Sequence, residues 1–415
     1  MTEKNVRRAA VSALRAWSKG HLYADSLVER QARRNHLSTP DRALLNSILL
    51  AVLRNRSLLD HWIGMLRKGK LDHETRDILR VGICQLLLLG IPDHAAVNET
   101  VNCARKPVRG LINAVLRRAV AARKTLFSES ESLRASIRFS HPEWLCNRWT
   151  QQFGRAEMES LLAWNNEPAP VIIRLNTLAS HPLDPAKEAQ LISLGLEGYY
   201  QLAGPLPREW AESGQVYIQD PSTRNAVELL DPQPGESVLD ACAAPGGKSS
   251  LVAAAMNNEG ELLCTDSSEK RIPRLIENLA RQQITNTTTE QFDWTEPAPQ
   301  VWKSKFDRIL LDVPCSNSGV MRRRVDARWR LKPEQLQGLP AIQRLILENA
   351  LPCLKPGGRL VYSTCSLEPE ENEDLILSFL KDFPEASLLE SKQSIPFRDG
   401  FDGSYAALLS LQGSA

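Results

Sequence analysis

Two short stretches each place a cysteine where an apolar run breaks off. One reads Ile309-Leu310-Leu311-Asp312-Val313-Pro314-Cys315-Ser316 and the other Leu360-Val361-Tyr362-Ser363-Thr364-Cys365-Ser366. A free cysteine is most often a small buried hydrophobe. Both of these stand beside small hydroxyl residues at what reads as a strand end, where a thiol meets a ligand rather than a core. A thiolate so placed suits covalent catalysis, which splits one difficult step into several easier ones. Asp312 is either a strand-end turn residue or a carboxylate aimed at the same ligand. A third stretch, VLDACAAPGGKSS (Val238–Ser250), supplies a cradle. It starts extended, passes through Cys242-Ala243-Ala244-Pro245-Gly246-Gly247 and turns helical at Lys248. Glycines let the backbone approach a ligand, and the helix N-terminus offers unpaired N–H groups.

The elements that must position these residues follow from the pattern after Gln215. Strands are expected at Ser237–Asp240, Glu261–Asp266, Thr287–Phe292, Phe306–Asp312 and Gly358–Ser363. Helices are expected at Lys248–Met256, Ser268–Gln282, Ala341–Cys353 and Pro369–Leu380. Such alternation implies a mostly parallel, doubly wound sheet whose ligands sit beyond the C-terminal strand ends. Asp240, Asp266, Asp293, Cys315 and Cys365 all fall at or just past those ends. Asp266 comes about 20 residues after the glycine turn, where an acidic side chain can take a ribose hydroxyl.

The front of the chain differs. Residues 1–125 hold 23 Lys and Arg against 10 Asp and Glu, and the remainder holds 28 against 39, although the whole chain is only +2. A segment this basic suggests a polyanion partner, most simply nucleic acid, or else a well-solvated helical bundle. Residues 4–20 carry Val6, Ala10, Leu14 and Trp17 at helical spacing. Further apolar-periodic runs begin at Pro40, Ser57, Glu74 and Gly110, with a break at Ile91-Pro92-Asp93, so a compact helical domain is expected. Between the two lies a small α/β unit, with a strand expected at Val171–Leu178 and a helix at Ala186–Ser193. The expected domains are 1–130, 131–215 and 216–415.

Composition narrows the function. The 42% hydrophobic and 24% charged residues are those of a globular chain of the soluble class. The eight cysteines form no CxxC pair and no zinc-type cluster, so no metal is expected. The longest uncharged apolar run, Val81 to Ile91, is shorter than the roughly 20 residues that span a bilayer. Charges begin at Glu3 with no apolar signal core, so a cytoplasmic protein, without membrane partner, is expected. All seven histidines lie at or before His181, which argues against His-dependent hydrolase or dehydrogenase chemistry in the segment after Gln215.

LLNSILLAVLRNRSLLDHWI, RVGICQLLLLGIPDHAAVNETV and LINAVLRRAV resemble the NusB-type RNA-binding domain over roughly residues 4–125. That likeness implies binding to ribosomal RNA. DACAAPGGK (Asp240–Lys248), Asp266 with Arg271, FDRILLDVPCS (Phe306–Ser316), LKPGGRLVYSTCS (Leu354–Ser366) and PEENE (Pro369–Glu373) together resemble the RNA cytosine-C5 methyltransferases of the NOL/NOP/Sun type. With the front domain they point to the family's Fmu/Sun-type branch, which modifies cytosine 967 of 16S rRNA.

The resemblance implies a NusB-like all-α domain, a small α/β linking domain and a Rossmann-like, S-adenosyl-L-methionine-dependent methyltransferase domain. It further implies that Cys365 adds to cytosine C6, that Cys315 assists release, and that Asp312 hydrogen-bonds the base edge. Cofactor contacts carry over to Cys242, Ala243, Ala244, Pro245, Gly246, Gly247, Lys248, Asp266, Arg271, Asp293 and Asp312. DNA cytosine methyltransferases use the PCS-type cysteine as nucleophile, so the reverse assignment stays open. A non-catalytic RNA-binding factor that kept the fold is the competing class. A nicotinamide enzyme is disfavoured because the turn lacks GxGxxG. The basic run Met321–Arg324 with Arg328, Trp329 and Arg330 reads as a phosphate and stacking surface, or as a solvated charge run. Two motifs depart from the family: Gln291-Phe292-Asp293, and the C-terminal stretch Asp399–Tyr405. The enzyme is expected to act as a monomer on an rRNA base that is looped or flipped out.

Overall fold

The computed structural model describes residues 5–20 and 22–411. Lys4, the first residue of the first expected helix, lies outside them, as do the outermost residues of the first and last expected domains. The chain forms two compact units. One runs to Glu167 and takes in Met321–Arg330, and the other comprises Pro168–Val320 and Leu331–Ala415. The segment expected to link the domains is therefore divided between the two.

The first unit is helical. Three of its helices start where a side chain satisfies a free N–H group of the first turn. Asn5 accepts from Arg8 N before Val6–Trp17, Ser38 from Asp41 N before Thr39–Arg54, and Asp72 from Thr75 N before His73–Leu87. Their apolar faces close on one core that includes Leu14, Leu27, Ile48, Leu49, Trp62, Leu79, Ile83 and Leu116. At Gly82 a Cβ would stand 2.6 Å from Leu116 Cδ2 and 2.9 Å from Thr100 Cγ2, so a larger residue there would have to push these side chains aside.

The helix Ala24–Arg34 escapes the sequence pattern because its cap is remote. Tyr23 provides no capping bond, and Ala24 N donates instead to Asp326 Oδ2 at 2.9 Å.

The segment Met321–Arg330 corrects one expectation. Its Arg328, Trp329 and Arg330 are packed and not a free phosphate surface, whereas Arg324 is exposed. Val325 joins the helical core, and Trp329 Nε1 donates to Leu53 O at 2.8 Å. Arg328 is fully buried and donates to Asn166 Oδ1 and Asn165 O at 2.6 and 2.7 Å. Burial pushes its guanidinium down to about 9. Arg330 packs over Tyr23 and Trp17 and donates to Gly20 O. Planar guanidinium and indole groups can bury apolar faces while their N–H groups reach backbone carbonyls, and these do so.

The second unit holds two sheets. The smaller has antiparallel strands β1 (Ile172–Leu175), β2 (Leu191–Ser193), β3 (Tyr199–Leu202) and β4 (Val216–Ile218) in the order β2-β3-β1-β4. Residues Ala186–Ser193, expected as a helix, form only a 3-10 turn at Pro185–Lys187 before Leu191, Ile192 and Ser193 pair with Leu202, Gln201 and Tyr200. Pairing with a strand distant in sequence overrides the local helical pattern.

The larger sheet comprises β5 (Ser237–Asp240), β6 (Glu261–Asp266), β7 (Thr287–Gln291), β8 (Phe306–Asp312), β9 (Leu354–Thr364), β10 (Ala386–Ser394) and β11 (Ser404–Leu411). Its order is β10-β11-β9-β8-β5-β6-β7. Strands β5 to β9 pair in parallel, while β11 inserts antiparallel between β9 and β10. The chain steps from β5 outward to β6 and β7, then returns to β8 on the other side. The switch point between β5 and β8 opens a crevice at their C-terminal ends. The helix expected from Ala341 begins at Pro333 and runs through Pro340 to Ala350.

Candidate active site

The turn after β5 is built from both sides. Ala243 N donates to Thr265 O at the end of β6, and Gly246 adopts φ 99°. A Cβ on Gly246 would lie 3.1 Å from Leu275 Cδ1, and one on Gly247 would lie 3.1 Å from Tyr217 Cε1. The small sheet braces the helix that follows. The buried Arg174 of β1 donates to Gln219 Oε1 and Ser250 Oγ at 2.7 Å each, and Gln219 Nε2 donates to Gly247 O. Sequence reasoning did not find Arg174 or Gln219, whose partners are distant along the chain.

Carboxylates gather at the strand ends. Asp240 is fully buried, with Oδ2 accepting from Ser249 Oγ at 2.7 Å and Oδ1 without a partner. Burial raises its carboxyl to about 7, against the pull of the Ser249 hydrogen bond, with Asp312 pushing the same way. Asp312, at the end of β8, pairs with Lys248 Nζ at 2.7 Å. Burial works against the Lys248 ammonium, but Asp312, together with Cys365 and Asp240, lifts the group above its ordinary value. Asp266, buried at the end of β6, accepts from Ser268 N at 2.8 Å and from Arg271 Nη2 at 3.0 Å. Asp293 lies exposed just past β7, where its Oδ1 accepts from Thr295 N and Oγ1. The Cys242 thiol is pushed far up, first by burial and then by Asp240, Asp312 and Asp266. That direction disfavours the thiolate, the form a nucleophile needs.

Cys315 and Cys365 meet with their sulfurs 3.1 Å apart. The Cys315 thiol is driven well above its usual range by the hydrogen bond with Cys365 and by burial. Asn317, at φ 59°, donates from Nδ2 to Cys315 O at 2.8 Å and accepts from Cys365 Sγ at 3.4 Å. Gly319 N donates to Cys365 O at 3.0 Å. The divergent C-terminal stretch supports this loop. Gly403 N donates to Gly319 O at 2.8 Å, and a Cβ on Gly319 would stand 2.6 Å from Gly403 O.

These residues fit a ligand that carries an ammonium and a ribose. Asp240 has a buried, unpartnered oxygen behind the glycine turn, and Asp266 stands at the neighbouring strand end. Among the described residues no cluster of His, Cys, Asp and Glu is arranged to hold a metal ion, and no helix is long and apolar enough to cross a membrane.

A sheet in this order, with a glycine turn at its switch point and an antiparallel strand slipped in beside β9, is the scaffold of a methyltransferase. Known proteins narrow that class. The sequence signature of the 16S rRNA methyltransferase RsmB/F family matches residues 227–406, that of the NusB family residues 4–121, and that of the RsmF/B-like ferredoxin-like domain residues 141–187. A ribosomal RNA small subunit methyltransferase B from Citrobacter koseri is 35% identical over 435 residues, covering 99% of each chain. The crystal structure of PH0851 matches with a TM-score of 0.78 at 25% identity, covering 99% of each chain. A methyltransferase homolog protein from Pyrococcus horikoshii matches with a TM-score of 0.58 at 29% identity, covering 66% of this chain and 97% of that one. The chain belongs to the RsmB/F family of 16S rRNA methyltransferases. It is an S-adenosyl-L-methionine-dependent enzyme with a NusB-like helical domain at its front.

Proposed function

We propose that the enzyme methylates C5 of one cytosine in 16S rRNA, the family's cytosine 967, through a covalent bond between Cys365 and C6. The observation that supports this most is the 3.1 Å approach of two thiols from adjacent strand ends. Cytosine C5 is a poor nucleophile. Addition of the Cys365 thiolate to C6 shifts the C5–C6 electron pair towards C5. The Cys365 proton passes through water to N3, and Asp312 accepts hydrogen bonds from the N3–H and the exocyclic N4–H, so stabilising the ring as charge develops. S-adenosyl-L-methionine, held by Cys242–Lys248, Asp266, Arg271, Asp293 and Asp312, supplies the methyl group when bound. The C5 proton then leaves to water or a substrate phosphate, and its electron pair expels the Cys365 sulfur. Cys315 returns a proton to that sulfur as the C–S bond breaks.

The hydrogen bond with Cys365 and burial raise the Cys315 thiol, which favours the protonated form that a proton donor needs. The basic helical unit holds the rRNA through its phosphates. The enzyme is read as a cytoplasmic monomer, which sedimentation of the purified protein tests. Bisulfite sequencing of 16S rRNA from a strain lacking the gene tests the target, with the expected loss of one protected cytosine. Methylation at another ring atom would leave the bisulfite pattern unchanged.

A further inference from the structure

Each of the two cysteines is followed by a serine, and the two serines meet. Ser316 Oγ and Ser366 Oγ lie 3.0 Å apart, buried behind the thiols. A single carboxylate joins them. Glu371, in the 3-10 turn Pro369–Glu371, is fully buried. It accepts from Ser316 N at 3.0 and 3.2 Å and from Ser316 Oγ at 2.8 Å, and reaches Ser366 through the contact between the two hydroxyls. Its direct partners are the amide and hydroxyl of the Cys315 loop, and Ser316 Oγ links it to Ser366 of the Cys365 loop. The backbone of Glu371 is itself fixed, because Tyr362 OH of β9 donates to its carbonyl at 2.6 Å.

The same knot secures the loops from both sides. Ser318 Oγ accepts from Leu367 N at 2.8 Å. Asn372 Nδ2 donates to Ser366 O at 2.9 Å, and Asn372 Oδ1 accepts from Thr364 Oγ1 at 2.6 Å. Burying a carboxylate is costly unless every lone pair facing the protein finds a donor. A merely structural link between β8 and β9 needs no such group, since the two strands already pair along their length.

We propose that Glu371, acting through Ser316 and Ser366, is a positioning residue that sets the distance between the two thiols. Ser316 and Ser366 are peptide neighbours of Cys315 and Cys365, so any slack in the knot passes directly to the sulfurs. The inference rests on the reading of the two cysteines as a working pair. It does not depend on which atom of the base is methylated.

The full-length enzyme is treated with dibromobimane, which becomes fluorescent on bridging two close thiols, and the bridged peptides are mapped by mass spectrometry. Wild type is expected to give the Cys315–Cys365 bridge. Glu371→Gln, which keeps the shape but turns an acceptor into a donor, is expected to lose most of that bridge. Its kcat is expected to fall about a hundredfold with little change in KM for RNA, as for a misplacement of reacting groups by an ångström. Ser366→Ala, a milder change, is expected to move both readouts in the same direction. Thermal melting checks that each variant is folded. A folded Glu371→Gln enzyme with wild-type bridging and kcat overturns the proposal, even if its melting temperature drops. Bridging needs neither RNA nor cofactor, so an error about the methylated atom leaves this result standing.

Discussion

Lys248 Nζ lies 2.7 Å from Asp312 Oδ2, which ties the helix after the glycine turn to the end of β8. The pair joins the cradle to the strand that leads into the Cys315 loop. Without the ammonium, the Asp312 carboxylate loses the charge that holds it in place. Lys248→Met is therefore expected to slow single-turnover methyl transfer about a hundredfold, the order seen when one group stabilising developing charge is removed. An unchanged single-turnover rate would contradict this role.

Asp240 gives the site a pH dependence of known sign. Its carboxyl titrates near 3.8 when unfolded and at about 7 in the folded protein, where burial disfavours the charge. Between those values the native state holds a proton that the unfolded chain has released, so this group's contribution to stability falls as pH rises. Above about 7 the loss is complete and the curve is flat. The ionised form is the one that attracts a ligand ammonium. Cofactor affinity is thus expected to rise between pH 6 and pH 8, and Asp240→Asn is expected to flatten both curves. Calorimetric titration and melting at several pH values check this, and a wild-type slope in the Asn variant would refute it.

Gly319 and Gly403 touch backbone to backbone. A methyl group on Gly319 meets the Gly403 carbonyl at 2.6 Å, and neither chain can yield as a flexible side chain would. Gly319→Ala is expected to destabilise the fold by about 1–3 kcal/mol, the usual cost of overpacking. It should also impair transfer, because Gly319 N holds the Cys365 carbonyl. Chemical denaturation and a methylation assay measure the two effects separately.

Arg328 distinguishes a packed arginine from a phosphate contact. Its guanidinium is buried on Asn165 and Asn166. Arg328→Ala is expected to lower the melting temperature but leave the slope of log Kd for rRNA against log salt unchanged. Loss of a phosphate contact would instead reduce that slope by about one.

Much of this was legible in the chain, for stated physical reasons. Strands β5, β6 and β8 are short apolar runs, each ending in an aspartate that marks the crevice. The cysteines stand out because each interrupts such a pattern. Strand β10 did not stand out, because its residues are mostly exposed and polar on the sheet edge. The stretch Leu191–Ser193 looked helical because its pairing partner lies in β3. The arginines around Trp329 looked solvated because Leu53, Asn165 and Asn166 lie far away in sequence. Pro369–Glu373 was recognised as a motif, but only the folded chain brings Glu371 under Ser316 and Ser366. What local patterning conveys is periodicity and caps, and what it omits is the partner reached by a distant loop.

Attack on the base by Cys365 and its release by Cys315, as proposed, leave distinct traces in the two serine variants. The most direct test incubates Cys315→Ser and Cys365→Ser proteins with a cognate 16S rRNA fragment and S-adenosyl-L-methionine, then runs both on a denaturing gel. An RNA-linked band is expected to accumulate with Cys315→Ser and to be absent with Cys365→Ser. A band with Cys365→Ser alone would reverse the roles, and full methyl transfer by Cys365→Ser would contradict the covalent mechanism.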